Sequence, residues 1–171
     1  SMQWYLLKTW AGREEELVRV IRRAVPKTLC KECFVIEQER IWIRQKRNIL
    51  HRELLFPGCV FLTCQKSESM LSRIERIPAI AKWIAEGSLN ILHMMEEDGR
   101  FLEELAGQDH RVKLSYVWKD EQGKICRLSE PLKHYQGQIE RIQFKKRYAM
   151  IRHRLWGENR TFVLGILLKE D

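Results

Sequence analysis

The apolar positions change their period along the chain, and the change divides it. QWYLLKT (3–9) is an apolar and aromatic run of strand length, and REEELVRVIRRAVPK follows with Leu17, Ile21 and Ala24 at helical spacing. Glu14, Glu15 and Glu16 fall in the first turn of that helix and Arg22 and Arg23 near its last. The charges suit the macrodipole at both ends, and Pro26 stops the helix. CFVIEQERIWI (33–43) is β-rich. RQKRNILHRE (44–53) reads as a basic connection into a further strand, ELLFPGCVFLTC (53–64), giving an antiparallel pair with a long positive loop. Pro57 and Gly58 are out of place in that strand: proline cannot donate to a ladder, and glycine marks a bulge or a close approach. SESMLSRIERI (67–77) predicts a short helix with Met70, Ile74 and Ile77 on one side, ended by Pro78. AIAKWIA then predicts a fourth strand, and MEEDGRFLEELAG (95–107) a last short helix with Gly107 at the C-cap.

Beyond residue 107 the helical period stops. QDHRVKLSYVWKDEQ (108–122) is polar at both ends with an apolar centre, a linker holding a possible first strand. GKICRLS, GQIERIQF, RYAMIRHRL and RTFVLGILL are strand-like segments with short turns and no helical stretch between them. Four or five short strands in roughly 55 residues bury their faces by curling into a small barrel. The expected fold class is α+β: an N-terminal α/β sandwich-like domain with an antiparallel sheet (1–107), a linker (108–122) and a small C-terminal β-barrel (123–171).

Composition adds a direction. Of 171 residues 44% are apolar, enough for a folded core, and the net charge is +8. Residues 123–171 hold 11 Lys+Arg against 5 Asp+Glu, whereas residues 1–122 hold 20 against 18, so the positive excess sits at the C-terminal end. A basic surface on so small a piece implies a polyanionic partner, nucleic acid in the first place, the alternative being a solvated basic face. No run of eighteen apolar residues and no charged-then-apolar leader is present, and a cytoplasmic location is expected.

Five cysteines (30, 33, 59, 64 and 126) make an odd number without framework spacing, and CKEC (30–33) lacks the second pair that a zinc ribbon needs. Histidines 51, 93, 110, 134 and 153 show no metal-ligand spacing, and no metal or cofactor is expected. Without a P-loop, a G-x-S-x-G, an H-E-x-x-H or a dinucleotide fingerprint, nothing points to an enzyme.

WYLLKTWAGREEEL at the start, LFPGCVFL in the middle and SEPLKHYQGQIERIQFKKRYAMIRHRLWGENRTFVLGILL at the end resemble NusG-type transcription factors in the family's own order, over nearly the whole chain. WY, FPG, PL-x(4)-G-x-I and KR-x-A are jointly specific. The resemblance implies an NGN domain followed by a KOW domain. The tail is most similar to the LoaP branch, specialised antiterminators with a basic turn after the first KOW strands, here FKKRYA. The implied activity is transcription antitermination or elongation control, by a monomer whose NGN domain binds RNA polymerase and whose KOW domain binds an RNA hairpin in a nascent leader transcript. The alternative is a general NusG factor whose KOW domain binds a protein such as Rho or a ribosomal protein. A ribosome-associated KOW protein is a third reading, against which the NGN half argues.

The resemblance also implies sites. In the family the FPG strand lines an apolar depression for the β′ clamp helices of RNA polymerase, which would fall to Phe56, Cys59 and Phe61, the alternative being ordinary core aromatics. The sidedness of Phe56 and Phe61 stays open. Ser67 and Ser69 lie where relatives touch the polymerase gate loop, and Lys8, Arg73 and Arg76 lie near nontemplate DNA, all equally readable as solvated surface. In the barrel, Lys145, Lys146 and Arg147 form a cationic turn, and Arg152, His153, Arg154, Trp156 and Arg160 continue it as RNA-binding candidates. Period 2 puts Arg152 and Arg154 on one face, opposite Ile151 and His153. Arg147 and Arg154 are the candidate base readers, and Tyr148 and Trp156 are either base-stacking groups or core. Two departures stand out: Cys59 replaces the family's tyrosine, and Glu130 replaces a glycine whose positive φ a glutamate reaches only at a cost.

Overall fold

A computed structural model of the protein describes residues 2–171. The chain opens with β1 (Met2–Lys8), α1 (Glu14–Ala24), β2 (Glu32–Phe34), β3 (Glu37–Arg44), β4 (Arg47–Leu54) and β5 (Cys59–Gln65). It continues with α2 (Met70–Glu75), α3 (Pro78–Ala85), β6 (Asn90–His93), α4 (Glu96–Ala106), β7 (Arg111–Val112), β8 (Ser115–Lys119) and β9 (Ile125–Leu128). A 3-10 helix (Leu132–Gln138), β10 (Ile139–Gln143), β11 (Tyr148–Leu155) and β12 (Glu158–Leu168) complete it. The architecture is α+β, with an α/β part and a C-terminal β part, as the patterning predicts.

By contact the residues form two units. One holds the chain up to Ile36 with Phe56–Arg100, and the other holds Glu37–Leu55 with Phe101–Asp171. The grouping differs from a division of the sequence at residues 107 and 122 in placing the β3–β4 hairpin with the C-terminal strands.

In the first unit the sheet order is β2-β5-β1-β6. β1 is central and antiparallel to both neighbours, with Leu6 opposite Phe61 and Leu92. Even positions of β5 (Val60, Leu62, Cys64) join Tyr5, Leu7 and Cys33 in a core with Leu17, Val18 and Ile21 of α1, Met70 and Ile74 of α2, and Ile80 and Trp83 of α3. α1 has three glutamates in its first turn and Arg22 and Arg23 in its last, as the charge pattern predicts.

AIAKWIA is helix α3, not a fourth strand. The apolar run is too short for its period to decide, and Pro78, read as the stop of α2, is the first residue of α3, where a missing N–H costs nothing. The strand that completes the sheet is the short β6, which carries no strong alternation.

The FPG segment is not one strand either. β4 ends at Leu54, β5 begins at Cys59, and residues 55–58 turn between them. RQKRNILHRE is not a long loop: most of it is β4, joined to β3 through Gln45 and Lys46, both at positive φ (51° and 62°), the geometry of a two-residue primed turn.

In the second unit the five-stranded sheet has the order β10-β11-β12-β8-β9, with β12 parallel to β8 and the other pairs antiparallel. Ala149, Ile151 and Leu155 of β11 and Phe162, Leu164, Ile166 and Leu168 of β12 are buried at alternate positions. The expectation of no helical stretch here fails at the 3-10 helix, whose Leu132 and Tyr135 enter the core. β3 also pairs with β7 in a three-stranded sheet, β4-β3-β7. At Gly165 a Cβ would fall well inside contact distance of the Glu39 carbonyl oxygen and 3.2 Å from Arg40 Cα. Glycine there lets the backbone of β3 lie against β12.

Candidate nucleic-acid interface

The sequence asks what approaches Gly58, and within the first unit the answer is the chain just after β1. Gly58 has φ 81°, its carbonyl accepts the Thr9 N–H at 2.8 Å, and a Cβ in its place would sit 2.8 Å from the Thr9 oxygen. Its N–H donates to Glu14 Oε2 at 2.6 Å, and Glu14 Oε1 accepts the Gly12 N–H at 2.8 Å. Glu14 is 5% exposed. Burial opposes its ionisation, yet the N–H groups of Gly58, Glu14 and Gly12 hold the carboxyl below its ordinary value. A glutamate that the sequence presents as one of three first-turn acids suited to the macrodipole is therefore the clasp of the FPG turn.

That turn settles the sidedness. Phe61 faces Leu6 and Phe34 across the ladders, on the face of the sheet turned away from the helical core, and Cys59 shares that face at period 2. Trp4, Phe34 and Phe56 surround Phe61, with ring centroids 5.5–6.0 Å apart. Phe61 is fully buried and Cys59 is buried, while Phe56 is half-buried, so Phe61 and Cys59 are interior members of an aromatic cluster, and Phe56 is its outer member. Ser69, Lys8, Arg73 and Arg76 are exposed and Ser67 is half-buried.

On the C-terminal strands the alternation holds. Arg152 and Arg154 point outward between buried Ile151 and Leu155. His153 turns inward, stacked on Phe101 at 3.9 Å with an interplanar angle of 8°, on the face opposite Arg152 and Arg154. Arg147 differs from the other cations of the turn. It sits at φ 55°, and its Nε and Nη2 donate to Asp171 at 2.9 and 2.7 Å, with side chains only 15% and 9% exposed. Its guanidinium is therefore engaged within the chain and is not a free cation of the turn. Arg160 donates to the Leu155 carbonyl, pairs with Glu158 at 3.2 Å and lies over Trp156 at 5.2 Å. Trp156 is half-buried in the Trp156–Gly157 turn between β11 and β12, both residues at positive φ. Among the described residues Glu130 is not one of positive φ, so its replacement of glycine meets no backbone penalty of that kind.

Tyr148 is not core. It lies on the outer face opposite Gly165 in the ladder, half-buried, with the Arg40 guanidinium 5.6 Å from its ring. Here β3 brings in residues that sequence reading passed over. Arg40, Trp42 and Arg44 join Lys145, Lys146 and Tyr148 around an open cleft of about 410 Å³. The signal is present as R-x-W-x-R at strand period, but β propensity alone does not tell which face of the strand is exposed.

The chain is a member of the NusG family: the family model described as transcription termination factor nusG matches residues 2–100. It is similar to the transcription termination/antitermination proteins NusG of two Helicobacter pylori strains. The identities are 21% over 92% of both chains for strain 26695, and 22% over 99% of this chain and 97% of the relative for strain J99. A structure titled "Domain interaction in Thermotoga maritima NusG" aligns over 96% of this chain and 94% of its own at 17% identity and a TM-score of 0.44. NusG family members are transcription factors and not enzymes. Among the described residues no His, Cys, Asp and Glu group has metal-binding geometry, and no helix is long and apolar enough to cross a membrane.

Proposed function

We propose that this protein is a transcription antitermination and elongation factor of the LoaP type, acting in the cytoplasm. It binds RNA polymerase through the sheet face around Phe56 and a structured leader RNA through its cationic C-terminal strands. The observation that carries the reading is the outward cationic surface built by Lys145, Lys146, Arg152 and Arg154, which pairs with phosphates and accounts for where the positive excess lies in the sequence. Glu140 lies 3.9 Å from Arg152 with both groups about half exposed, a weak pair that an RNA phosphate displaces. A general factor whose C-terminal domain binds Rho or a ribosomal protein has no need of such a surface.

The deciding experiment captures RNA crosslinked to the protein in cells and titrates the recovered leader hairpin with full-length protein at several salt concentrations. The reading expects log K to fall steeply with log salt, and the slope to drop by about one for each lysine replaced at 145 or 146. Absence of any enriched RNA, with a protein partner recovered instead, would pass the function to the general-factor reading.

A further inference from the structure

The cleft between the β3–β4 hairpin and the turn after β10 is built from cations and rings together. Its cations are Arg40, Arg44, Lys145 and Lys146, and its rings are Trp42 and Tyr148. The hairpin register explains the mixture. Arg40, Trp42 and Arg44 alternate along β3 on one face, opposite His51, Ile49 and Arg47 of β4, so one face of one hairpin offers arginine, indole and arginine in succession.

Trp42 is 48% exposed, unusual for the largest apolar side chain on a short hairpin. The ring is nevertheless held: His51 stacks on it at 3.8 Å and the Arg44 guanidinium lies 4.9 Å from its centroid. The other wall is fixed as well. Gly165 admits the backbone of β3 against β12, and Tyr148, across the ladder from Gly165, receives Arg40. Arg40 is tied to Glu53 at 3.4 Å, while its Nε is buried without a hydrogen-bond acceptor among the described residues.

We infer that this cleft holds a single unpaired nucleotide of the bound RNA, its base stacked against the Trp42–Arg44 pair and its phosphate facing Lys145 and Lys146. The inference rests on the RNA-binding reading and deepens it. A phosphate needs the lysines, and a continuous duplex needs only them and Arg152 and Arg154. A half-exposed indole braced by histidine and topped by a guanidinium serves a base removed from its stack. Arginine planes and aromatic rings accept any base, so the cleft selects a structural feature, a bulge or loop nucleotide, rather than a sequence. It also means that the RNA site draws on residues more than a hundred positions apart in the chain.

The test uses full-length protein and three labelled RNA hairpins with the same stem: one with a single unpaired adenosine, one fully paired, and one abasic at the bulge. The wild type is expected to prefer the bulged hairpin about tenfold, within the range of aromatic stacking on a base. Trp42→Ala is expected to abolish that preference and leave paired and abasic hairpins unchanged, and Trp42→Phe to restore most of it. Melting transitions of both variants check the fold. Equal loss on all three hairpins, or no loss on any, would overturn the nucleotide site while leaving RNA binding itself intact. If the wild type binds none of the hairpins, nor a leader RNA recovered from cells, the RNA-binding reading falls and this one with it. A bulged DNA hairpin with the same affinity and the same Trp42→Ala sensitivity would overturn the assignment to RNA.

Discussion

Arg147 grips Asp171 through two hydrogen bonds, 2.9 and 2.7 Å long, and its Nη1 also donates to the Phe144 carbonyl. The pair closes the turn between β10 and β11, and Asp171 further accepts the Leu168 N–H at 2.7 Å, which ties the chain after β12 to that turn. Burial resists ionisation of Asp171, but Arg147, the Leu168 N–H and Asn48 together hold its carboxyl below the ordinary value.

Replacing Arg147 by Gln therefore has a structural consequence first. It leaves a mostly buried carboxylate without its charged partner, and we expect about 1.5–3 kcal/mol of lost stability, the range for hydrogen bonds to charged groups. Arg154→Gln, on an outward position, is expected to leave the denaturation midpoint unchanged and to lower RNA affinity. Denaturant titration beside RNA titration of the two variants checks the assignment; an Arg147 variant as stable as wild type would return that residue to the RNA-contact set.

Glu14 makes stability depend on pH. Its folded value is depressed, so its contribution is fully present above the ordinary carboxylate value of about 4.3 and disappears as pH falls through the lower folded value. Glu14→Gln keeps one acceptor oxygen for two N–H groups, and the unpaired one should cost about 1–3 kcal/mol at neutral pH. Urea midpoints of variant and wild type are expected to converge on acidification below about pH 4. A gap that stays constant with pH would mean that the Glu14 charge plays no part.

Gly165→Ala tests whether β3 rests on β12. The added methyl meets the Glu39 backbone oxygen, Leu114 Cδ2 at 2.7 Å and Arg40 Cα, and backbone does not yield as a long side chain does. We expect about 1–3 kcal/mol of destabilisation, the usual range for overpacking, with chemical-shift changes by NMR concentrated at Arg40 to Trp42 and Tyr148. Shifts confined to β11 and β12 would show that the hairpin is not held there.

What the sequence made legible follows from where local signals were strong. α1 announces itself by acids at one end, arginines at the other and Leu17 and Ile21 between, and in β11 the step of two from Arg152 to Arg154, between Ile151 and Leu155, makes the outward direction of the two arginines readable. α3 was not, because a short apolar run between Pro78 and Gly87 carries no decisive period. The site was read less well than the fold. Arg147 and Arg160 looked like free cations because nothing in the sequence pairs position 147 with 171, or 160 with the Leu155 carbonyl across the β11–β12 turn. Trp42 looked like strand filler because its exposure depends on where the hairpin ends up. Glu14 looked no different from Glu15 and Glu16 because its partner at Gly58 is a backbone N–H, which no residue type advertises.

Phe56 and Phe61 separate the polymerase contact from the core. Phe61 lies inside the aromatic cluster, fully buried among Trp4, Phe34 and Phe56, and Phe61→Ala should cost about 3–5 kcal/mol, a large share of a small protein's stability. Its effect on polymerase binding would then be indirect and would follow the loss of folded protein. Phe56 is the half-buried outer member beside the Pro57–Gly58 turn, so Phe56→Ser removes less buried surface and should cost under about 2 kcal/mol. If the face around Phe56 receives a polymerase helix, Phe56→Ser should lower the amount of RNA polymerase retained by immobilised protein while the melting transition stays cooperative and close to wild type. The control is Arg19→Ser, an exposed residue on α1, which packs against the opposite face of the sheet. Retention lost equally with Phe56→Ser and Arg19→Ser would point to an effect not specific to that face, and retention unchanged with Phe56→Ser in a folded protein would move the polymerase contact elsewhere.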